Sequence, residues 1–102
     1  MSLREIMDAD RRLVVLRLLE EAQGYALNEA VLEKSLAHVG VLATGRDIVR
    51  GHLAWLDQQG LVTIERLALD GAAKDLWVAH ATKLGTEVAK GRPWPGVARP
   101  SP

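Results

Sequence analysis

Arg46 and Arg50 stand four residues apart in "ATGRDIVRGHLAWLDQQGLV", residues 43–62, one turn of a helix if the stretch is helical. Guanidinium groups so spaced can grip phosphates or the acceptor edge of guanine. Thr44, just before them, suits a phosphate held at a helix N-terminus. Gly51 and Ala54 are small enough to admit a close approach. Asp47 and Asp57 share the same polar arc, so it equally suits solvated ion pairs at i,i+3 and i,i+4.

Four further residues extend the candidate set. Lys34, on a preceding helix with His38, and Arg66 and Lys74, on a hairpin that follows, are candidates for phosphate contacts. A lone loop lysine such as Lys74 is also what plain solvation would leave. Trp55 and Trp77 fall at positions suited to burial. Trp94 lies between two prolines, where it either folds back to anchor the tail or offers an aromatic anchor to a partner.

Other chemistry finds little support. Cysteine is absent, which excludes disulfides, thiolate metal sites and a cysteine nucleophile. His38, His52 and His80 lack ligand-like spacing and read as half-buried or interface residues. Neither a Gly-rich phosphate loop nor a nucleophile–base–orienter set is present. We expect no enzymatic activity, cofactor, metal or small-molecule ligand.

Charge argues on both sides. Thirteen basic and thirteen acidic residues cancel, whereas a DNA-binding domain is usually basic. The distribution is uneven: residues 1–43 carry two excess negative charges and residues 61–102 two excess positive ones. The start "MSLREIMDADRR" has no signal-peptide pattern, and the apolar run from Leu13 to Leu19 is interrupted by Arg17 and too short to span a membrane. A cytoplasmic location is expected.

The elements that must position these residues follow from periodicity. With 4% aromatics and no Phe, the core must come from Leu, Val, Ile and Ala. Asp8 or Asp10 is expected to cap a first helix running to about Gln23, with Gly24 at its C′ position; Leu13 to Leu19 are apolar nearly all round. "YALN" reads as short and extended, with Asn28 capping a second helix whose apolar side holds Val31, Leu32, Leu36 and Val39. A third helix over about 44–59 begins with a Thr44–Asp47 capping box. It buries Ile48, Val49, His52, Leu53, Trp55 and Leu56 and stops at Gly60. Strands "LVTIERLAL" and "LWVAHA" flank an Asp70-Gly71 turn. Thr82 caps a last short helix ended by Gly91, and the tail "RPWPGVARPSP" holds all four prolines. The expected class is α+β, mainly α with a small β-hairpin, in the order α-β-α-α-β-β-α: a domain over 1–91 and a Pro-rich extended tail over 92–102.

These residues resemble winged helix-turn-helix regulators of the ArsR and MarR kind. Leu53, Leu56, Gly60, Leu61 and Val62 match the "L-x-x-L-x-x-x-G-L-V" pattern that feeds the wing, and Thr82 and Gly85 match a following "T-x-x-G". The two ends, "LREIMDADRRLVVLRLL" and "VAKGRPWPGVARPSP", resemble a small family of Mu-like prophage proteins. Metal sensing, found in part of the ArsR group, does not carry over to a chain without cysteine.

The resemblance implies a DNA-binding transcriptional regulator of phage or prophage origin. Helix 44–59 would enter the major groove, with the wing over about 61–81 on the backbone. Thr44, Arg46, Arg50, Lys34, Arg66 and Lys74 would touch double-stranded DNA. A homodimer through the first helix and the termini would supply enough positive charge. The rival is a winged-helix protein–protein adaptor in phage biology, favoured by the neutral charge, the acidic residues on the reading face and the unusual tail.

Overall fold

Among the described residues, four α-helices pack with a three-stranded antiparallel sheet. The computed structural model describes residues 1–40, 45–68 and 75–100. Thr44, the Asp70-Gly71 turn and Lys74 lie outside the described residues. The elements run α1 (Leu3–Glu21), β1 (Ala26–Asn28), α2 (Glu29–His38), α3 (Arg46–Gln58), β2 (Val62–Ala68), β3 (Asp75–Ala81) and α4 (Lys83–Ala89).

Helix α1 starts earlier than its aspartates suggested. Ser2 is its N-cap, accepting the Glu5 amide at 3.1 Å, while Asp8 lies inside the helix and pairs with Arg11 at 3.5 Å. It also ends sooner, at Glu21, and Gly24 takes its positive φ of 71° inside a short 3-10 turn over Gln23–Tyr25 rather than as a C′ stop. Leu13, Val15, Leu16 and Leu19 face the core, whereas Val14 and Leu18 line an open cleft with Met7 and Val39. The helix packs against α2, α3, α4 and β3 and so forms the floor of the fold.

Helix α2 is capped by the Asn28 side chain, which accepts the Val31 amide at 2.9 Å. Its buried side differs from the expected stripe: Glu29, Leu32 and Leu36 are buried, while Val31 and Val39 are exposed. Helix α3 begins at Arg46 with Gly45 as its N-cap and no side-chain cap bond; the expected Thr44–Asp47 capping box rests on Thr44 and so lies outside the described residues. Val49, His52, Leu53 and Leu56 are buried; Ile48 is partly exposed and Trp55 half-buried. Each fully buried leucine of this core stabilises the fold by about 2–3 kcal/mol relative to an exposed one.

A Schellman turn ends α3. The Gly60 amide donates to Asp57 O and the Leu61 amide to Leu56 O, each at 3.0 Å, with Gly60 at φ 76°. The chain then enters β2 without a linker. β2 pairs with β3 from Val62↔Ala81 to Ala68↔Asp75, and β1 adds to the far edge of β3 through Ala26↔His80 to Asn28↔Val78. The sheet order is therefore β1-β3-β2, one strand more than a hairpin alone.

The C-terminal segment packs on the domain instead of extending from it. Trp94 and Val97 form a small bridge, the Ala98 amide donates to Ala9 O at 3.0 Å, and Val97 is buried. Gly96, at φ 88°, lies so close to the Trp55 ring that a Cβ there would approach its Cζ2 at 2.6 Å. Arg12 stacks on that ring at 4.0 Å and donates to Gly96 O at 3.1 Å, and Trp94 Nε1 donates to Gln59 Oε1.

Candidate functional site

The polar arc of α3 meets a carboxylate that does not belong to α3. Glu29, in the first turn of α2, is fully buried. Arg50 grips it with both arms of its guanidinium fork, Nε to Oε1 at 2.6 Å and Nη2 to Oε2 at 2.8 Å. The Trp77 amide of β3 donates to the same Oε2 at 2.6 Å. Arg50 Nη2 also donates to the Asp75 carbonyl at 2.9 Å, and its guanidinium lies 4.6 Å over the Trp77 ring. One buried carboxylate thus joins α2, α3 and β3.

The electrostatics follow from those contacts. The hydrogen bonds from Arg50 hold the Glu29 carboxyl below its ordinary pKa; burial opposes this, and the Trp77 amide and the charges of Arg50 and Arg46 add to the lowering. Arg50 is shifted up in return, chiefly by its bond to Glu29. A bidentate, hydrogen-bonded pair of this kind satisfies both partners, which is the condition under which burial of charge is tolerated.

The remaining candidates are less constrained. Arg46 lies 3.8 Å from Glu29 and 3.6 Å from Glu33, beyond hydrogen-bond length, with 43% of its side chain exposed. Arg66, exposed on β2, lies 4.8 Å over the Trp77 ring, so Arg46, Arg50 and Arg66 are gathered around Glu29 and Trp77. Lys34 is exposed on α2, beside Glu33 in sequence. Thr44 and Lys74 lie outside the described residues. Asp47, Gly51, Asp57 and Gln58 are exposed on α3, and a Cβ at Gly51 would meet open space.

Glu29, Asp75 and the Trp77 amide were not among the expected site residues. Glu29 did carry a signal, since it falls in register with Leu32 and Leu36, and a carboxylate on an apolar stripe calls for a paired cation and hydrogen-bond donors. The three histidines are dispersed: His38 is exposed, His80 half-exposed, and His52 buried on the inner face of α3. Among the described residues no group of three or more acidic or histidine side chains could hold a metal ion, and no helix is long and apolar enough to cross a membrane.

No protein-family model matches the chain. It is 40% identical over 101 residues to "Uncharacterized protein gp26" of Escherichia phage Mu, covering 98% of this chain and 97% of the phage protein. It is 52% identical over 67 residues to an "Uncharacterized protein" of Haemophilus influenzae, covering 66% of this chain and 64% of the Haemophilus protein.

Proposed function

The chain belongs to the family of gp26 of Escherichia phage Mu, and from that premise we propose that it is a DNA-binding transcriptional regulator with a winged helix-turn-helix fold and a phage or prophage role. One observation carries the reading: α3, backed by α2, passes through the Gly60 turn directly into the β2–β3 hairpin, and Asp47, Gly51, Asp57 and Gln58 on its outward face are exposed. In winged helices the second helix of such a pair enters the major groove and the hairpin lies along the backbone. The thirteen residues of α3 span about 20 Å, and its small Gly51 admits a close approach. Arg46, Lys34 and Arg66 bring positive charge, with Thr44 and Lys74 at the flanking segments.

A single copy carries no net charge, so the reading includes a homodimer that doubles the number of phosphate contacts. Its seam is the start of α1, where Met1, Leu3 and Ile6 are exposed. A protein–protein adaptor is the second reading, favoured by Asp47 and Asp57, which are exposed on the helix that carries Arg46.

Mobility-shift measurements over a salt series, on random and phage-derived duplexes, test the proposal. Regulation requires binding that weakens steeply with salt and falls when Arg46 is replaced by Ala. An absence of binding at low salt and high protein concentration rejects the regulator and leaves the adaptor.

A further inference from the structure

Building on the nucleic-acid reading, we infer that Arg50 is a positioning residue, locked onto Glu29 so that α3 and the hairpin present one rigid surface. Arg46 and Arg66 are then the cations that meet a phosphodiester backbone. Sequence spacing makes Arg46 and Arg50 equivalent; the structure separates them.

Arg50 cannot leave its place without consequence. Its fork is engaged on a carboxylate with no solvent exposure, and withdrawing it would strand that buried charge, one of the costliest changes a core can suffer. The same guanidinium holds the Asp75 carbonyl and covers Trp77, so it fixes the first residues of β3 relative to α3. Glu29 completes the tie through the Trp77 amide. A hairpin laid on DNA must keep a set angle to the helix in the groove, and this tie supplies it.

Arg46 and Arg66 have the opposite character. Arg46 is more exposed than Arg50, and its carboxylate neighbours stand off at 3.6 and 3.8 Å. Exchanging a partly exposed Glu33 for a phosphate leaves no buried group unsatisfied. Arg66 has the Trp77 ring and, among the described residues, no carboxylate partner. Both can trade their present contacts for phosphate oxygens.

The test uses the full chain, a duplex of mixed sequence, and amide hydrogen exchange on the free protein. In Arg46→Gln and in Arg66→Gln the slope of log affinity against log salt should shrink by about one, with hairpin exchange unchanged. In Arg50→Lys, which keeps the charge but loses the fork, amides of β2 and β3 should exchange at least tenfold faster while α1 stays protected. Glu29→Gln should behave likewise, without strengthening DNA binding. Tighter binding and a steeper salt slope in Glu29→Gln would mean that Glu29 was restraining a phosphate-seeking Arg50, and would overturn the inference. So would an Arg50→Lys chain with fully protected hairpin amides. If the unaltered chain binds no duplex at all, the DNA reading and the phosphate roles of Arg46 and Arg66 fall together. The exchange data alone then decide the positioning role, through the same two outcomes.

Discussion

The Thr82 hydroxyl donates a hydrogen bond to the Gly60 carbonyl at 2.8 Å across 22 residues of chain. The same oxygen accepts the Gly85 amide at 3.0 Å, and the Thr82 amide donates to Leu61 O at 3.1 Å. The two halves of the recognisable sequence pattern, the glycine that ends α3 and the T-x-x-G that opens α4, are therefore the two sides of one clasp. Gly85 must be glycine because a Cβ there would drive into the Leu61 carbonyl. Thr82→Val should cost about 1–3 kcal/mol in urea unfolding, Thr82→Ser much less, and Gly85→Ala more than either.

Acid should weaken the fold in two separable steps. Burial, and after it the charge of Arg12, hold the pKa of His52 below its ordinary value, against the pull of Asp8 at 3.7 Å. The unfolded chain then binds this proton more readily than the folded one, so stability is lost as pH falls through the unfolded value of 6.5. The urea midpoint should drop between about pH 7 and 5, and His52→Gln should flatten that part of the curve. An unaltered slope in that variant would remove His52 as its source.

Glu29 acts in a lower window, and the form the fold favours is the charged one, whereas for His52 it is the neutral one. Its folded pKa is depressed below 4.5, so the stability from the Arg50 bridge is present above that pH and lost as pH falls through the folded value. Glu29→Gln should be less stable than the parent near neutrality, and the gap should narrow under acid. A constant difference from pH 7 to 3 (roughly, the span over which carboxylates titrate) would show that the ionised form carries no advantage.

The C-terminal segment should behave as part of the core. Deleting residues 92–102 removes Val97 and Trp94 from the core cluster and Gly96 from the Trp55 ring, and should destabilise the chain by about 3 kcal/mol, with a red shift of tryptophan emission. Gly96→Ala forces a Cβ against the indole at a positive φ and should cost about 1–3 kcal/mol. A tail that merely dangles would leave both variants as stable as the parent.

Self-association is tested at α1. With Leu3 and Ile6 exposed, Leu3→Glu combined with Ile6→Glu should convert a dimer into a monomer in sedimentation, leaving the helical circular dichroism intact. A monomeric parent at tens of micromolar (roughly, a working range for weak association) rejects the seam.

Local chemistry was legible where a few neighbouring residues decide it. Asn28, Gly60 and Thr82 announce their caps and stops because each acts within four residues. The start of α1 was misplaced because Ser2, Asp8 and Asp10 are all competent caps and nothing local ranks them. For another reason Glu29 was hidden and the fold-back of Trp94 could be given only as one of two alternatives. Their partners, Trp77 and Arg50 for one, Ala9, Arg12 and Gln59 for the other, stand 21 to 89 positions away. The polar arc on α3 is exposed at Arg46, Asp47, Gly51, Asp57 and Gln58 as its spacing suggests, but which arginine is spoken for depends on α2 and β3.

The bond from the Ala98 amide to the Ala9 carbonyl has a consequence for how the protein is made. The bond joins positions 89 apart, so it forms only after the chain through Ala98 has been made. Until then the Trp55 ring has Arg12 over it but lacks the close approach of Gly96. Residues 94–98 therefore close over Ala9 and Trp55 after α4 has been made, and a chain interrupted before them leaves that side of the core open, the kind of exposed apolar patch that chaperones and proteases recognise.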